Sequence, residues 1–399
     1  MSRESIIPIA SQPDSRRFAA GLALFYGTLF GLGGTHLPFF PVWLRAVGID
    51  AFWIGLITAV PSVTRFTILP LVTGFAGGRY SLRGALIVTA IATALGLAWV
   101  GIQDRPLWLF IVYALTSCLW TPMVPLTDAY ALRGVARYGL HYGPLRLWGS
   151  ASFAAGALAC GLMVDVIAGP DLIWVIVAAA ALGVVASLGL APVEQQVPRQ
   201  ATQHGARKLW RDRGFLCIIL AASLIQGSHA AYYTFASITW QAEGFDGLTI
   251  AGLWTLGVLA EIVVFALSPR FTLSPQQMMW VGGVSAALRW LVTAQQPPVG
   301  LLALVQLAHG LSYGLTQLGT MGLLVRRVPN EAMARGQGYL AACFGLVYCG
   351  ASVVTGELYL RAGQDVYYIM AALALAGALV IGLAHGLFKD HPHSAASGG

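Results

Sequence analysis

The feature that most constrains this chain is a run of roughly 20 mainly apolar residues, the length of one membrane-spanning helix, which recurs twelve times. A helix satisfies its own backbone hydrogen bonds in lipid, which a lone strand cannot do. The pattern therefore predicts an all-α integral membrane protein with twelve transmembrane helices. The predicted spans are 18–44, 52–76, 84–102, 107–132, 143–166, 172–191, 214–241, 248–268, 277–295, 298–325, 335–361 and 365–388.

The composition agrees with this prediction. Apolar residues make up 57% of the 399 residues and charged residues only 10%, whereas a water-exposed surface is roughly 25–35% charged. The five cysteines lie in apolar stretches without a Cys-x-x-Cys pair, so we expect free thiols. The sequence has no phosphate-binding loop with its Gly-Lys pair and no metal-ligand spacing, so neither a cofactor nor a metal is expected.

The distribution of basic residues predicts the orientation in the membrane. With the N-terminus inside, 18 of the 23 Lys and Arg fall in cytoplasmic segments, 3 fall on the opposite side, and Arg65 and Arg289 lie inside helices. Cytoplasmic loops are enriched in Lys and Arg, so we expect a multi-pass protein of the bacterial inner membrane with both termini in the cytoplasm. The net charge of +7 then reflects topology, and no nucleic-acid partner is expected.

A basic, polar segment divides the chain into two parts. Residues 192–213 read PVEQQVPRQATQHGARKLWRDR, which is too polar to bury a core. The sequence thus predicts an N-terminal six-helix half over 1–191, a cytoplasmic linker over 192–213, a C-terminal six-helix half over 214–388 and a disordered tail over 389–399. This layout resembles the major facilitator superfamily.

Charged side chains inside the predicted helices indicate function, since each costs about 2.5–3.5 kcal/mol at the bilayer centre on insertion scales. Glu261 and Arg289 lie deep in their spans and are the main candidates. Arg65 either lines a cavity or forms a structural pair within the first half. His229 and His309 are candidates for a proton relay beside Glu261 and Arg289, because histidine titrates near neutral pH.

Polar residues also recur at helical spacing, which places them on one face of a helix. Such a stripe faces either a water-filled cavity or a hydrogen-bonded neighbouring helix. Four stripes, three of them in the C-terminal half, favour a shared cavity. They are Thr58, Ser62 and Arg65; Gln226, His229, Tyr233 and Trp240; Ser285, Arg289 and Thr293; and His309, Tyr313, Thr316, Gln317 and Thr320.

Four segments resemble a known family. They are PMVPLTDAY (122–130), YGPLRLWGS (142–150), IQGSHAAYY (225–233) and GLWTLGVLAEIVVFALS (252–268), and they are similar to the 3-phenylpropionic acid transporters, a proton-symport family of the major facilitator superfamily. The likeness covers nearly all the predicted helices. It implies a secondary transporter rather than an enzyme, with protons, membrane lipid and a small aromatic carboxylate as its partners, acting as a monomer.

A more distant resemblance, to lactose permease, implies roles for individual residues. Asp128 and Arg146 match its substrate-binding positions, and Glu261, Arg289 and His309 match its proton site. Approach of Arg289 to Glu261, and its withdrawal, would then release and take up the coupled proton.

An aromatic carboxylate requires a cation and aromatic surfaces in its binding site. Arg146 or Arg289 can bind the carboxylate bidentately. Aromatic faces for the ring are expected from Trp148, Tyr233 and Trp254. Gln226 and His229, on the same stripe as Tyr233, complete the predicted substrate site.

Two departures from superfamily patterns affect the interpretation. The loop GFAGGRYSLR (74–83) has Gly78 where the superfamily motif carries an aspartate, and GSASFAAGALACG (149–161) lacks the proline of drug-efflux antiporters.

Two alternatives stay open: proton symport of a sugar or nucleoside, for which Asp128 and Arg146 would bind hydroxyls, and a receptor or assembly subunit that transports nothing.

Overall fold

The computed structural model describes residues 12–68, 81–193, 209–329 and 332–388, and within these ranges the chain is helical and has no strand. The loop motif from Gly74 to Arg79, most of the predicted linker and the predicted disordered tail lie outside them. The helices of the first part are α1 (Gln12–Ala46), α2 (Ala51–Thr67), α3 (Leu82–Gly101), α4 (Pro106–Trp120), α5 (Met123–Tyr138), α6 (Tyr142–Val164) and α7 (Leu172–Leu188). Those of the second part are α8 (Arg213–Gly227), α9 (Ala230–Ala242), α10 (Gly247–Leu267), α11 (Pro275–Thr293), α12 (Val299–Leu307), α13 (Thr316–Arg327), α14 (Met333–Ala362) and α15 (Val366–Leu383).

Several helices begin where the sequence supplies a capping side chain. The carboxylate of Asp50 accepts a hydrogen bond from the Trp53 amide at the start of α2, and Asp246 does the same for Thr249 in α10. Such caps satisfy amides that have no partner within the helix. Because these capping residues lie in the short loops between helices, they indicate in the sequence where α2 and α10 begin.

Three of the predicted spans are each broken into two helices. The span 107–132 is interrupted between α4 and α5, the span 214–241 between α8 and α9, and the span 298–325 by a π-helical segment, Gly310–Leu315, between α12 and α13. Each span is nevertheless one helical stretch long enough to cross a membrane, and the interruption inside it was not predicted. Broken helices at membrane depth are tolerated where protein or a wet cavity satisfies the free backbone groups.

Nine helical stretches in the described part of the chain are long and apolar enough to cross a membrane. One of them, Arg335–Phe388, covers most of α14 and all of α15, and Ala51–Arg65 is a shorter apolar helix. Large apolar side chains are exposed on the outside, such as Leu95 at 67% and Leu383 at 86%, as expected for a surface in contact with lipid. The count of twelve spans stays a prediction.

We refer to residues 12–193 as the N-terminal half and residues 209–388 as the C-terminal half. The largest hydrophobic cluster contains Trp43 from the first and Trp254 from the second. Two further clusters each belong to one half. One surrounds Phe25 and Tyr130 of the N-terminal half, and the other surrounds Phe215 and Leu324 of the C-terminal half. The hydrophobic core therefore joins the halves at one end and is divided at the other.

Backbone contacts identify the joined end, which we call the closed end. A Cβ built on Gly161 of α6 would lie 2.4 Å from the Gly247 carbonyl oxygen of α10, and one on Gly55 of α2 would lie 2.5 Å from the Ser352 carbonyl oxygen of α14. The Gly247 amide donates to Asp165 Oδ2 at 2.8 Å. Only glycine permits such close approach, so the halves touch where α6 ends and α2 and α10 begin.

Candidate functional site

Three ionisable side chains of the C-terminal half form a hydrogen-bonded chain. His309 Nε2 lies 2.7 Å from Glu261 Oε1, and Arg289 Nη1 lies 2.7 Å from His309 Nδ1. A guanidinium only donates, so His309 Nδ1 accepts from Arg289 and Nε2–H donates to Glu261. His309 is thereby assigned as a neutral tautomer that connects a cation to a carboxyl group.

All three guanidinium nitrogens of Arg289 are hydrogen-bonded to other groups of the protein. Arg289 is 2% exposed; its Nε donates to the Val305 carbonyl at 3.1 Å and its Nη2 to Gln306 Oε1 at 2.9 Å. Its guanidinium carbon also lies 4.6 Å from the ring centre of Tyr232 and 4.5 Å from that of Trp290. Of the two arginines expected to bind a carboxylate, this one already has its donors engaged.

The break in the tenth predicted span positions His309. The residue directly precedes the π-helical segment Gly310–Leu315, and single π turns inside α-helices are frequent at functional sites. A Cβ on Gly310 would lie 2.5 Å from the carbonyl oxygen of Ala260. Glycine at this position thus allows the segment to pack directly against α10, beside Glu261.

Aromatic rings surround this chain of charges, and His229 lies among them. His229 has no exposed surface, and its ring centre is 5.4 Å from that of His309. Trp254 stacks on Tyr233 with 5.9 Å between ring centres and donates from Nε1 to Ser237 Oγ at 2.9 Å. Further rings close to His229 belong to Tyr233, Trp290 and Tyr313.

The structure gathers most of the predicted residues of the C-terminal half. His229, Tyr233 and Trp254 lie beside the hydrogen-bonded chain, and Gln226 is buried three residues before His229. Tyr232, Trp290 and Gln306 were not predicted from the sequence. Gln306 precedes His309 by three residues, a helical spacing that could have indicated it.

A second polar cluster lies in the N-terminal half. Asp128 accepts hydrogen bonds from the phenols of Tyr26 at 2.6 Å and Tyr142 at 2.9 Å. The guanidinium carbon of Arg146 lies 3.9 Å from the ring centre of Phe30 and 5.5 Å from that of Tyr26. Asp128 and Arg146 are thus connected through Tyr26. The two tyrosines and Phe30 were not predicted from the sequence.

The two clusters lie at the same depth. α6 and α10 are antiparallel. α6 ends and α10 begins near their contact at Gly161 and Gly247, so both helices extend from this contact toward the same side. Arg146 precedes Gly161 by 15 residues and Glu261 follows Gly247 by 14. At a rise of 1.5 Å per residue, both lie about 21–23 Å from the contact. The Glu261 side chain is 21% exposed, although it lies far inside the bundle, so it borders a cleft between the halves.

Arg65 lies on the same cleft. It is exposed and near enough to Tyr313 and Tyr348 of the C-terminal half to act on them electrostatically. It takes part in no ion pair with the residues that the structure describes. Of the two interpretations from the sequence, this exposure favours the cavity position, which stays a prediction.

Trp148 does not join either cluster. It is 59% exposed and follows Arg146 by two residues, a rotation of about 200° around the helix. Since Arg146 points toward Tyr26 and Phe30 of α1, Trp148 lies on the other side of α6. Of the aromatic residues predicted for the site, those near the charges are Tyr233 of α9 and Trp254 of α10.

A bundle of membrane helices whose two halves are joined at one end and enclose a polar cleft is the architecture of a secondary transporter. A family model described as the MFS_1 like family matches residues 20–370. The chain belongs to this family of the major facilitator superfamily.

The chain is similar to proteins with several named substrates. It is 31% identical over 366 residues to a probable 3-phenylpropionic acid transporter of Escherichia coli (strain K12), covering 89% of this chain and 94% of that protein. It is 25% identical over 365 residues to a maltose permease of Geobacillus stearothermophilus, covering 90% and 92%. A putative nucleoside transporter of Escherichia coli (strain K12) is 25% identical over 326 residues, covering 76% and 75%.

Solved structures agree on the fold. The nucleoside transporter NupG matches with a TM-score of 0.79 at 17% identity, covering 94% of this chain and 100% of that one. A bacterial homologue of the lysosomal transporter Spinster matches with a TM-score of 0.74 at 12% identity, covering 97% and 100%. The predictions of a major facilitator fold, and of a transporter rather than an enzyme, are confirmed. These relatives speak against a subunit that transports nothing.

Proposed function

We propose that this protein is a proton-coupled symporter that imports a small aromatic carboxylate such as 3-phenylpropionate. The observation that carries the proposal is the chain Glu261–His309–Arg289, because a carboxyl group joined through a neutral imidazole to an arginine can exchange a proton beside the cleft. The 31% identical relative named as a probable 3-phenylpropionic acid transporter supports the substrate class.

In this proposal Arg146 binds the carboxylate of the substrate. Arg146 is partly exposed, and its guanidinium packs on the rings of Phe30 and Tyr26, whereas Arg289 is engaged by its neighbours. A guanidinium can bind a carboxylate with two parallel hydrogen bonds. The ring of the substrate then extends toward Tyr233 and Trp254 across the cleft, where aromatic surfaces stabilise it.

Proton coupling is assigned to Glu261. When Glu261 is ionised, it accepts from His309, and the charge of Arg289 stabilises it through the imidazole. Protonation of Glu261 removes the negative charge from this end of the chain. The proton and the substrate can then cross together while the halves change their relative position.

The wider arrangement in the membrane belongs to the same proposal. We place the protein in the bacterial inner membrane as a monomer, with both termini and the linker 192–213 in the cytoplasm, following the distribution of Lys and Arg. The halves 1–191 and 214–388 move as units about the site. In the described structure the closed end would then face away from the cytoplasm.

Uptake into proteoliposomes tests this proposal. Labelled 3-phenylpropionate should accumulate when an inward proton gradient is imposed and should only equilibrate without one. Accumulation that is indifferent to the gradient would contradict the proton coupling. Absence of any uptake would contradict the assignment of 3-phenylpropionate as a substrate.

The variant Glu261→Gln separates coupling from binding. Gln keeps the shape and can still accept from His309 but cannot carry a proton, so uphill uptake should be lost while exchange of internal for external substrate persists. Glu357→Gln is the matched control, because Glu357 forms an exposed pair with Arg361 and should transport normally. Proton-driven accumulation in the Glu261→Gln variant would show that another group carries the proton.

A second candidate function is proton symport of a sugar or nucleoside. It is favoured by the relatives named maltose permease and putative nucleoside transporter, and by Asp128, whose carboxylate could accept from substrate hydroxyls. Competition distinguishes the candidates. Excess unlabelled maltose or uridine should inhibit the uptake of labelled 3-phenylpropionate only if the competitor binds the same site, and unlabelled 3-phenylpropionate is the positive control.

A further inference from the structure

One buried nitrogen beside the Glu261–His309–Arg289 chain has no hydrogen-bond partner among the residues that the structure describes. His229 Nδ1 lies 3.2 Å from the carbonyl oxygen of Ile225, and a carbonyl only accepts, so Nδ1 carries the hydrogen and Nε2 is a bare acceptor. His229 has no exposed surface. No donor in the described ranges reaches its Nε2.

A neighbouring residue has an acceptor in the same condition. Gln226 precedes His229 by three residues, and its Oε1 is also buried without a partner among the described groups. A buried acceptor without a donor costs free energy, and such groups are rare unless a ligand or water satisfies them. Two of them close together in sequence, next to the proposed ring-binding surface, indicate that a donor arrives with the substrate.

The surroundings restrict what that donor can be. His229 packs against Tyr233 and Tyr313, which are partly exposed at the cleft. His309 is also in contact with His229 and bonded to Arg289. The charge of Arg289 would repel an ammonium group at this position. A neutral donor, such as a hydroxyl group, fits these electrostatics.

We infer that His229 Nε2 accepts a hydrogen bond from a hydroxyl group on the aromatic ring of the substrate. The inference rests on the proposed function and narrows it from aromatic carboxylates in general to hydroxylated ones. Arg146 holds the carboxylate on one side of the cleft, and His229 selects the substituted ring on the other. Gln226 offers a second acceptor to a ring that carries two hydroxyls.

Binding to the purified protein tests this specificity with four compounds. The compounds are 3-phenylpropionate, its 3-hydroxyphenyl and 4-hydroxyphenyl analogues, and the 3-methoxyphenyl analogue, which has no donor. One of the hydroxylated compounds should bind about tenfold more tightly than 3-phenylpropionate, and the methoxy compound should not. The variant His229→Phe keeps a flat ring but removes the acceptor, so the preference should disappear.

His36→Phe is the matched control. His36 is buried in the N-terminal half, where its Nε2 bonds the Tyr113 hydroxyl at 3.1 Å, and its loss should leave the preference unchanged. Equal binding of all four compounds to the natural protein overturns the inference and leaves the proposed function standing. A preference that survives His229→Phe also overturns it. Failure of all four to bind removes the proposed function itself. If His229→Phe does not fold, the comparison on the natural protein still decides.

Discussion

At the residue scale, the two clusters of the cleft differ in how firmly their arginines are held. Arg289 donates to a carbonyl, an amide oxygen and an imidazole, whereas Arg146 rests on aromatic rings. The first arrangement suits a group that keeps one geometry while a proton comes and goes. The second leaves its donors without a hydrogen-bond partner among the described residues, and so available to a ligand. The same residue type therefore serves two different purposes in this site.

Replacing Arg146 with lysine should weaken substrate binding. Lysine keeps the charge but cannot form two parallel hydrogen bonds to a carboxylate or lie flat on Phe30. We expect the KM for uptake to rise about tenfold or more, with a smaller change in kcat. Arg361→Lys, at an exposed pair, is the control. An unchanged KM would place the carboxylate elsewhere, with Arg65 as the next candidate.

Replacing Arg289 with lysine should damage coupling rather than affinity. A single ammonium cannot reach Val305, Gln306 and His309 together, so buried acceptors lose their donors at about 1–3 kcal/mol each. We expect proton-driven accumulation to fall at least about tenfold while the substrate still binds. Parallel measurements of gradient-driven uptake and of binding distinguish this result from a general loss of folding.

At the element scale, the interrupted helices determine where the functional side chains lie. His229 lies at the break between α8 and α9, and His309 lies at the break before the π-helical segment. Hydropathy shows only that these spans are apolar, since it averages over a window and cannot resolve one extra residue in a turn. The sequence therefore showed that both histidines lie in apolar spans but did not predict the bends that bring them together.

The variant Gly310→Ala tests the π-helical segment. The added methyl group would lie 2.5 Å from the Ala260 carbonyl oxygen, which should push His309 away from Glu261 and destabilise the fold by about 1–3 kcal/mol. Gly300→Ala is the matched control, because nothing lies within 4 Å of its Cβ. Uptake and Tm should fall in the first variant only. Normal uptake by Gly310→Ala would show that this packing is dispensable.

A pair outside the membrane-spanning segments makes stability depend on pH. Partial burial would raise the pKa of the Asp212 carboxyl, but hydrogen bonds from Arg327 and from the amides of Phe215 and Gly214 hold it below the ordinary value of 3.8. Because the folded-state pKa is lowered, the stabilisation is present above pH 3.8 and is lost as the pH falls through the folded value. Tm should therefore fall more steeply with acidification in the natural protein than in Asp212→Asn. Parallel curves would show that the pair contributes nothing.

At the scale of the whole molecule, much could be predicted because membrane insertion constrains sequence strongly. The all-α fold, the superfamily and the gathering of Glu261, Arg289 and His309 follow from hydropathy, buried charge and family resemblance. Trp148 could not be excluded from the site, since which side of α6 faces the cleft depends on packing against α1. Tyr26 and Tyr142 were missed because tyrosines are common in membrane helices, and only the fold shows that their hydroxyls meet at Asp128.

A reversible cross-link between the halves tests whether they move. Thr58 and Thr234 lie in different halves with their hydroxyls 3.1 Å apart, so cysteines at both positions, in a background without the native cysteines, should form a disulfide. Oxidation should stop uptake and reduction should restore it. A pair at Thr64 and Thr121, whose hydroxyls lie 2.8 Å apart within the N-terminal half, should leave uptake intact. Transport through the oxidised first pair would contradict the movement.

The contact between Asp165 and the Gly247 amide has a mechanical consequence. This hydrogen bond connects the first turn of α10 to the other half of the protein. Glu261 lies on the same uninterrupted helix, about 21 Å farther along. A long helix transmits a tilt from one end to the other. Releasing that anchored turn would therefore move Glu261 relative to Arg146 of the other half, so a single helix connects the state of the closed end to the distance between the proposed proton carrier and the proposed carboxylate-binding residue.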